Sequence, residues 1–364
     1  MKKTATLLLL LFVSIAFAQI PPGYYATATG TGYTLKTQLY NIIKNNTNTT
    51  SHANYGDLWT LYTQSAFRDH YYENDNSLMD VYSEKPAGAD AYQYTSTGSQ
   101  CGNYTAEGSC YNREHVMPQS VFGQDNYPMY SDAHYLLPTD GYVNNKRDNF
   151  PYGRVNSATY TSTNGSKLGQ NMNSGYSAGY SGVVFEPIDE FKGDIARALL
   201  YFATRYETQV TGWSYTMFNG TSTQVYTDAF KNILLTWNDL DPVSPYEIAK
   251  NNAVYVFQNN RNPYIDHPEY VHTVWGPTLA TQDFDLFTSV SVYPNPANDH
   301  KINIESENTI EDIQLITING QIMLEIKNPV LQNHTYTLEN LPQGFYFVKL
   351  TANNQSTTKK IIVN

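Results

Sequence analysis

The chain has 364 residues, enough for a sizeable core and for two domains. Its formal net charge is −11, from 22 Lys+Arg against 33 Asp+Glu, which excludes a tight polyanion grip through a broad basic surface. A phosphate-bearing substrate would need a bound cation and a few placed arginines instead.

The N-terminus reads as an export signal over residues 1–18. Lys2 and Lys3 form a basic start, Leu7 to Phe17 is an apolar run, and Ala16-Phe17-Ala18 fits an A-x-A cleavage site before Gln19. No other run approaches the ~18 apolar residues of a bilayer span, so no integral membrane segment is expected after signal removal. Thr34 is placed to cap a helix carrying Leu35, Leu39, Ile42 and Ile43 on one face. The two cysteines, Cys101 and Cys110, read in an exported protein as one short disulfide. It would close a loop directly before Tyr111.

Gly153 to Gly182, rich in Gly, Ser, Thr, Asn and Tyr, reads as a long loop or irregular ribbon. Phe191, Ile195, Leu199 and Phe202 repeat at helical spacing, and Phe230, Ile233, Leu234 and Trp237 make a second such face. Ser244-Pro245-Tyr246-Glu247 is a capping-box pattern that opens a helix through about Phe257. Residues 276–289 carry few core signals and read as a linker. From Ser291 the chain alternates like strands: Ile302 with Ile304, Ile313 with Leu315, and a run from Phe345 to Leu350. Asn319-Gly320 is a hairpin-turn pair. The expected fold class is α+β: an α-rich domain over 19–275, then a small all-β sandwich over 290–364.

The chemistry-bearing residues fall in two segments. One is Tyr111-Asn112-Arg113-Glu114-His115-Val116-Met117-Pro118; the other runs from Asp132-Ala133-His134-Tyr135 through Asn144-Asn145-Lys146-Arg147-Asp148-Asn149. Phosphodiester hydrolysis requires a deprotonated water, a neutralised phosphoryl charge and a stabilised leaving oxygen. A hard divalent ion on oxygen ligands such as Glu and Asn meets the last two needs, and a neutral imidazole the first. Glu114 and His115 are adjacent, so on a plain strand they would face opposite ways. Sharing one site demands a strand end or a bend. Zinc fits poorly, because the cysteines share one short loop and no H-E-x-x-H occurs. Taken singly, a Glu-His pair is usually a solvated surface pair, Asn-Asn a turn, and a lone Arg an ion-pair partner.

In combination these segments resemble the endonuclease I family of periplasmic and secreted bacterial nucleases. Tyr111 to Gly123 resembles its signature, Asp132 to Pro138 its second block and Gly141 to Phe150 its third. Phe185 to Arg205 and Gln258 to Pro268 also match, so the likeness spans about residues 24 to 275 in order. It implies a ββα-metal core that cleaves DNA, and RNA too, with little sequence preference. It further implies that His115 is the general base, that Glu114 and Asn144 hold one divalent ion, and that Arg113 and Arg147 act at the phosphate or as supporting groups behind the metal ligands, with bracing of the motif as the alternative for the supporting residues. Asp132, His134 and Asn149 are implied as supporting or substrate-binding groups. The ion implied is Mg2+, with Mn2+ or Ca2+ as substitutes, since two protein ligands leave room for waters and phosphate oxygens. Asn145-Lys146 departs from the Gly-Asp of many relatives, and packing is the default reading of Asp266 and His267.

The tail has its own resemblance. Tyr293-Pro294-Asn295-Pro296, Leu341 to Val348 and Lys359-Lys360-Ile361-Ile362 are similar to the sorting domain read by the type IX secretion machinery. This implies a secreted protein that passes through the periplasm. The alternative to a secreted nuclease is a non-catalytic surface protein on the same scaffold, binding DNA or glycans through stacking on its 32 tyrosines.

Overall fold

The computed structural model describes residues 20–44, 54–95, 97–101, 104–276, 290–306, 309–317, 321–332, 334–352 and 355–364. The export signal, nearly all of the expected linker and the Asn319-Gly320 turn lie outside the described residues. The chain divides into two units, 1–277 and 278–364.

In the first unit, helix α1 (Gly32–Ile43) turns Leu35, Leu39 and Ile43 into the core. Its N-cap is Thr31, with no side-chain cap bond, so Thr34 lies inside the first turn rather than capping it. After the short helix α2 (Leu58–Leu61), strand β1 (Tyr111–His115) leads through α3 (Gln119–Phe122) to β2 (Leu136–Asp140). Helix α4 (Gly141–Arg147) follows β2 without a break and packs on both strands, making a ββα unit. Asp140 is its N-cap, accepting from the Val143 N–H at 2.8 Å, and its other oxygen accepts from the Tyr94 hydroxyl at 2.6 Å. The Cys101–Cys110 disulfide forms, with Cα atoms 4.9 Å apart. Its Cys101 sulfur lies against Gly141, where any side chain would collide with it.

The expected loop of residues 153–182 instead carries β3 (Val155–Thr161) and β4 (Lys167–Asn171), which join β5 (Val183–Glu186) in a three-stranded antiparallel sheet. Most of β3 faces solvent, so the sheet buries too little apolar surface to leave an alternating pattern in the sequence.

Beyond it lie α5 (Lys192–Arg205), α6 (Asp228–Leu240), α7 (Pro245–Gln258), α8 (Pro263–Asp266) and α9 (Glu269–Trp275). Every residue of α5 is buried, and α1, α6 and α8 pack around it. The capping box of α7 forms as expected, Ser244 and Glu247 exchanging bonds of 3.0 and 3.1 Å. Glu247 also takes a two-pronged ion pair from Arg197 of α5, at 2.7 and 2.6 Å. Removing one partner of such a buried pair costs about 3–5 kcal/mol.

The second unit is all-β. Strands β6 (Ser291–Tyr293), β7 (Ile302–Glu305) and β10 (Thr335–Leu338) form one antiparallel sheet, in the order β10-β7-β6. Strands β8 (Asp312–Thr317), β9 (Ile322–Lys327), β11 (Gly344–Ala352) and β12 (Gln355–Val363) form the other, in the order β12-β11-β8-β9. Ile302, Ile304, Ile313, Leu315, Val348 and Leu350 point into one core, as their period-two spacing dictates.

Candidate active site

The register of β1 on β2 sets Glu114 opposite Leu137 and His115 opposite Leu136. His115 is the last residue of β1, and the chain leaves the ladder just after it. Arg147, at the end of α4, clamps this exit: its terminal nitrogens donate to the His115 carbonyl at 2.9 Å and the Val116 carbonyl at 2.7 Å. The neighbouring side chains of Glu114 and His115 thereby both line a single open cavity of about 420 Å³. Arg113, Asn144, Arg147 and Asn149 line it as well.

Glu114 is 2% exposed. One carboxylate oxygen, Oε1, accepts from the hydroxyls of Tyr82 at 3.0 Å and Tyr152 at 3.1 Å, and pairs with Arg147 at 3.0 Å. The other, Oε2, takes none of these contacts. Burial pushes the carboxyl above its ordinary range, opposed by Arg147 and the two hydroxyls. A cation at Oε2 would favour the ionised form. Asn144 brings its amide nitrogen within 3.4 Å of Thr139 Oγ1, leaving its oxygen without a described protein partner.

The His115 ring lies near-parallel to Tyr55 and Tyr130, with centroids 5.5 and 5.6 Å away. Its Nε2 is 3.1 Å from the Tyr130 carbonyl. A carbonyl only accepts, so Nε2 carries the hydrogen and Nδ1 holds the lone pair. Burial, helped by Arg113 and Arg147 and opposed by the bond to Tyr130, lowers its pKa to about 4. At neutral pH the ring is an uncharged base. Arg113 donates to the Tyr55 carbonyl at 2.6 Å, its guanidinium 3.5 Å from the Tyr55 ring centre and 4.1 Å from that of Trp59. It is partly exposed on the cavity wall.

The structure separates the remaining expected site residues from this group. Asp132 and His134 lie outside the cavity, inside the helical core. Asp132 accepts from Tyr201 at 2.9 Å, Tyr206 at 2.7 Å and Gln258 at 2.7 Å, while His134 Nε2 meets the Asn260 carbonyl at 3.0 Å. Both tie the turn before β2 to α5, α7 and the residues just beyond them, away from the cavity lining. Arg147 lines the cavity but is tied down within it. Its terminal nitrogens meet Glu114 Oε1 and the His115 and Val116 carbonyls, so it acts as a supporting group that holds that carboxylate. Asn149 sits at the exposed rim, its carbonyl accepting from Tyr215 at 3.0 Å. Asp266 forms a two-pronged ion pair with Arg261 at 2.6 and 2.7 Å, in keeping with a packing role.

Tyr82 and Tyr152, which hold Glu114, gave no sequence signal among so many tyrosines. Gly175-Tyr176-Ser177-Ala178-Gly179 spells the G-x-S-x-G pattern of serine hydrolases, but Ser177 is fully buried and its hydroxyl donates to the Met172 and Ser174 carbonyls. It is no nucleophile.

The family described as Endonuclease I matches residues 31–269, and that described as Secretion system C-terminal sorting domain matches residues 291–364. The extracellular ribonuclease of Bacillus subtilis (strain 168) is 31% identical over 259 residues, covering 69% of this chain and 78% of that protein. The extracellular ribonuclease of Bacillus amyloliquefaciens is 31% identical over 277 residues, covering 73% of this chain and 84% of that protein. Endonuclease-1 of Buchnera aphidicola subsp. Baizongia pistaciae is 27% identical over 169 residues, 42% of this chain and 60% of that protein. Fold, cavity and likeness define a nuclease, a hydrolase of phosphodiester bonds, that is secreted. The chain belongs to the endonuclease I family and carries a C-terminal sorting domain.

Proposed function

We propose that this nuclease is divalent-metal-dependent and cleaves DNA, and RNA as well, with little sequence preference. The observation that carries the reading is one cavity wall presenting the free oxygen of Glu114, the free amide oxygen of Asn144 and the lone pair of His115 Nδ1. The donor set fits Mg2+, which keeps several waters and takes few protein oxygens; Mn2+ or Ca2+ are the substitutes. When bound, the ion neutralises charge on the phosphoryl group and the leaving oxygen.

Each residue of the chain then has a task. His115 Nδ1 takes a proton from the attacking water, and its Nε2–H, fixed on the Tyr130 carbonyl, keeps the ring in that tautomer. Arg113 offers fixed positive charge to a backbone phosphate, and Asn149 a polar contact at the rim. Arg147, Tyr82 and Tyr152 hold Glu114 in place. The acidic net charge leaves such local contacts to supply affinity, which suits low sequence preference. The relatives named as ribonucleases support RNA as a substrate. The sorting domain supports passage through the type IX secretion machinery.

The test is incubation of purified protein with supercoiled plasmid and with single-stranded RNA, with Mg2+ or with excess EDTA. Cleavage of both with Mg2+ and neither with EDTA is expected. Full activity in EDTA would remove the metal, and binding without cleavage would favour the non-catalytic reading.

A further inference from the structure

Five acidic side chains cluster in the segment 69–90, away from the cavity. Asp69, Glu73 and Glu84 each offer a carboxylate oxygen, all within 4.8 Å of one another, and Glu73, Asp75 and Asp90 form a second, overlapping group under the same limit. Asp75 is exposed and Asp90 half-buried, but the first group is not a solvated acidic patch. Glu84 is 1% exposed, and neither of its carboxylate oxygens has a hydrogen-bond partner. Both Glu73 oxygens are likewise sealed and without a partner. Asp69 is fully buried, and the backbone folds around it: it accepts from the N–H groups of Tyr71 at 2.9 Å, Tyr72 at 3.0 Å and Asn74 at 2.8 Å. Among the described residues, no Lys, Arg or His forms an ion pair with any of the five.

Glu73 and Glu84, with sealed carboxylate oxygens close together and no donor to either, lack the positive charge that burial demands. Only two species restore balance there: a proton shared between Glu73 and Glu84, or a cation. The donor set decides the kind of cation. It is all oxygen and largely carboxylate, which suits a hard ion and not the zinc or copper that nitrogen and sulfur select. Ca2+ takes six to eight oxygens at about 2.3–2.6 Å in flexible geometry, so oxygens on opposite sides of it lie about 5 Å apart. Mg2+ demands a stricter octahedron and its own waters, which fits a sealed group of carboxylates less well.

We propose that Asp69, Glu73 and Glu84 bind a Ca2+ ion, with Asp75 and Asp90 beside them adding negative charge, as a structural site separate from the catalytic cavity. The site fastens the turn at 69–77 to the segment at Glu84. That segment carries Tyr82, whose hydroxyl reaches Glu114 in the cavity at 3.0 Å. Calcium would thus steady a support of the catalytic carboxylate without touching substrate.

The test uses the full chain stripped with chelator, with Ca2+ alone as the probe, read by calorimetric titration and by the unfolding midpoint. Asn144→Ala weakens any ion in the cavity, and Glu73→Gln/Glu84→Gln removes the proposed ligands. Wild type and Asn144→Ala should bind Ca2+ with similar affinity and show the same saturable rise in midpoint. The double variant should bind at least about tenfold more weakly, the scale on which lost metal contacts act, and its midpoint should ignore Ca2+. If the double variant does not fold, Glu73→Gln alone is held to the same criterion. A shared proton in place of the ion predicts no saturable response in Asn144→Ala, and that result overturns the proposal. An unchanged response in the glutamine variants overturns it too.

Discussion

His115 and His134 look alike by most measures. Both are buried, both set Nε2 on a backbone carbonyl, at 3.1 and 3.0 Å, and both are lowered to about 4 chiefly by burial. They differ at Nδ1. The His115 ring lines the open cavity beside Glu114 and Asn144, whereas His134 Nδ1 is sealed in the helical core with no partner. Burial and a lowered pKa therefore do not separate the two rings; a place on the open cavity does. Around each histidine the same split holds, with Arg113 and Asn144 turned to the cavity, and Asp132 locked among Tyr201, Tyr206 and Gln258.

The sharpest break of this comparison is His115→Ala. Loss of a general base lowers rates about 10²–10⁴-fold, so plasmid cleavage should fall by that much. Asp132→Ala should do the converse. It strands buried partners and should lower unfolding free energy by about 2–4 kcal/mol in urea titration, leaving cleavage per folded molecule within a few-fold. A rate loss of the first size in Asp132→Ala would return that residue to the reacting centre.

The pH dependence follows from the same ring. Its folded pKa, about 4, lies below the ordinary 6.5, so the neutral base is fully present above 6.5 and is lost as pH falls through about 4. The acid limb of kcat/KM, which reports the free enzyme, should fall well below 6.5. A limb at 6.5 would mean that His115 is solvated. Both buried histidines also stabilise the fold only in neutral form. That contribution is present above 6.5 and is lost as pH falls from 6.5 toward about 4.

How much of this the sequence carried depends on distance along the chain. The cavity wall comes mostly from two stretches, 112–124 and 144–149, so their grouping was legible. The face each residue presents was not. Arg147 and Asp132 are polar residues in the same stretch as Asn144, and only the α4 clamp and the hydroxyls of Tyr201 and Tyr206 turn them into braces. Tyr82 and Tyr152 reach Glu114 from positions 32 and 38 residues away, a pairing no local pattern encodes. Amphipathic helices with caps, such as α7, were legible because pattern and cap agree. The β3–β4 ribbon was not, since its exposed face carries no alternation. The acids of 69–90 were visible as charge, but their burial appears only in three dimensions.

Gly141→Ala acts on the joint between the disulfide and α4. A methyl group there would land on the Cys101 sulfur, with the Tyr94-anchored Asp140 cap holding the helix start in place. Overpacking at such a spot costs about 1–3 kcal/mol. The unfolding midpoint should drop accordingly, and reducing the disulfide should relieve part of the drop. No change would mean that the bridge does not press on the helix carrying Asn144.

Asn149→Ala should give the smallest effect. The residue is exposed at the rim, and its only described bond is made by its carbonyl, which the substitution keeps. Stability should stay within about 0.5 kcal/mol, as for surface changes generally. Cleavage should weaken only a few-fold, through KM rather than kcat, because a rim contact binds substrate and transition state alike. A fall in kcat with KM unchanged would place Asn149 beside the reacting phosphate, moving the boundary between cavity wall and rim by one residue.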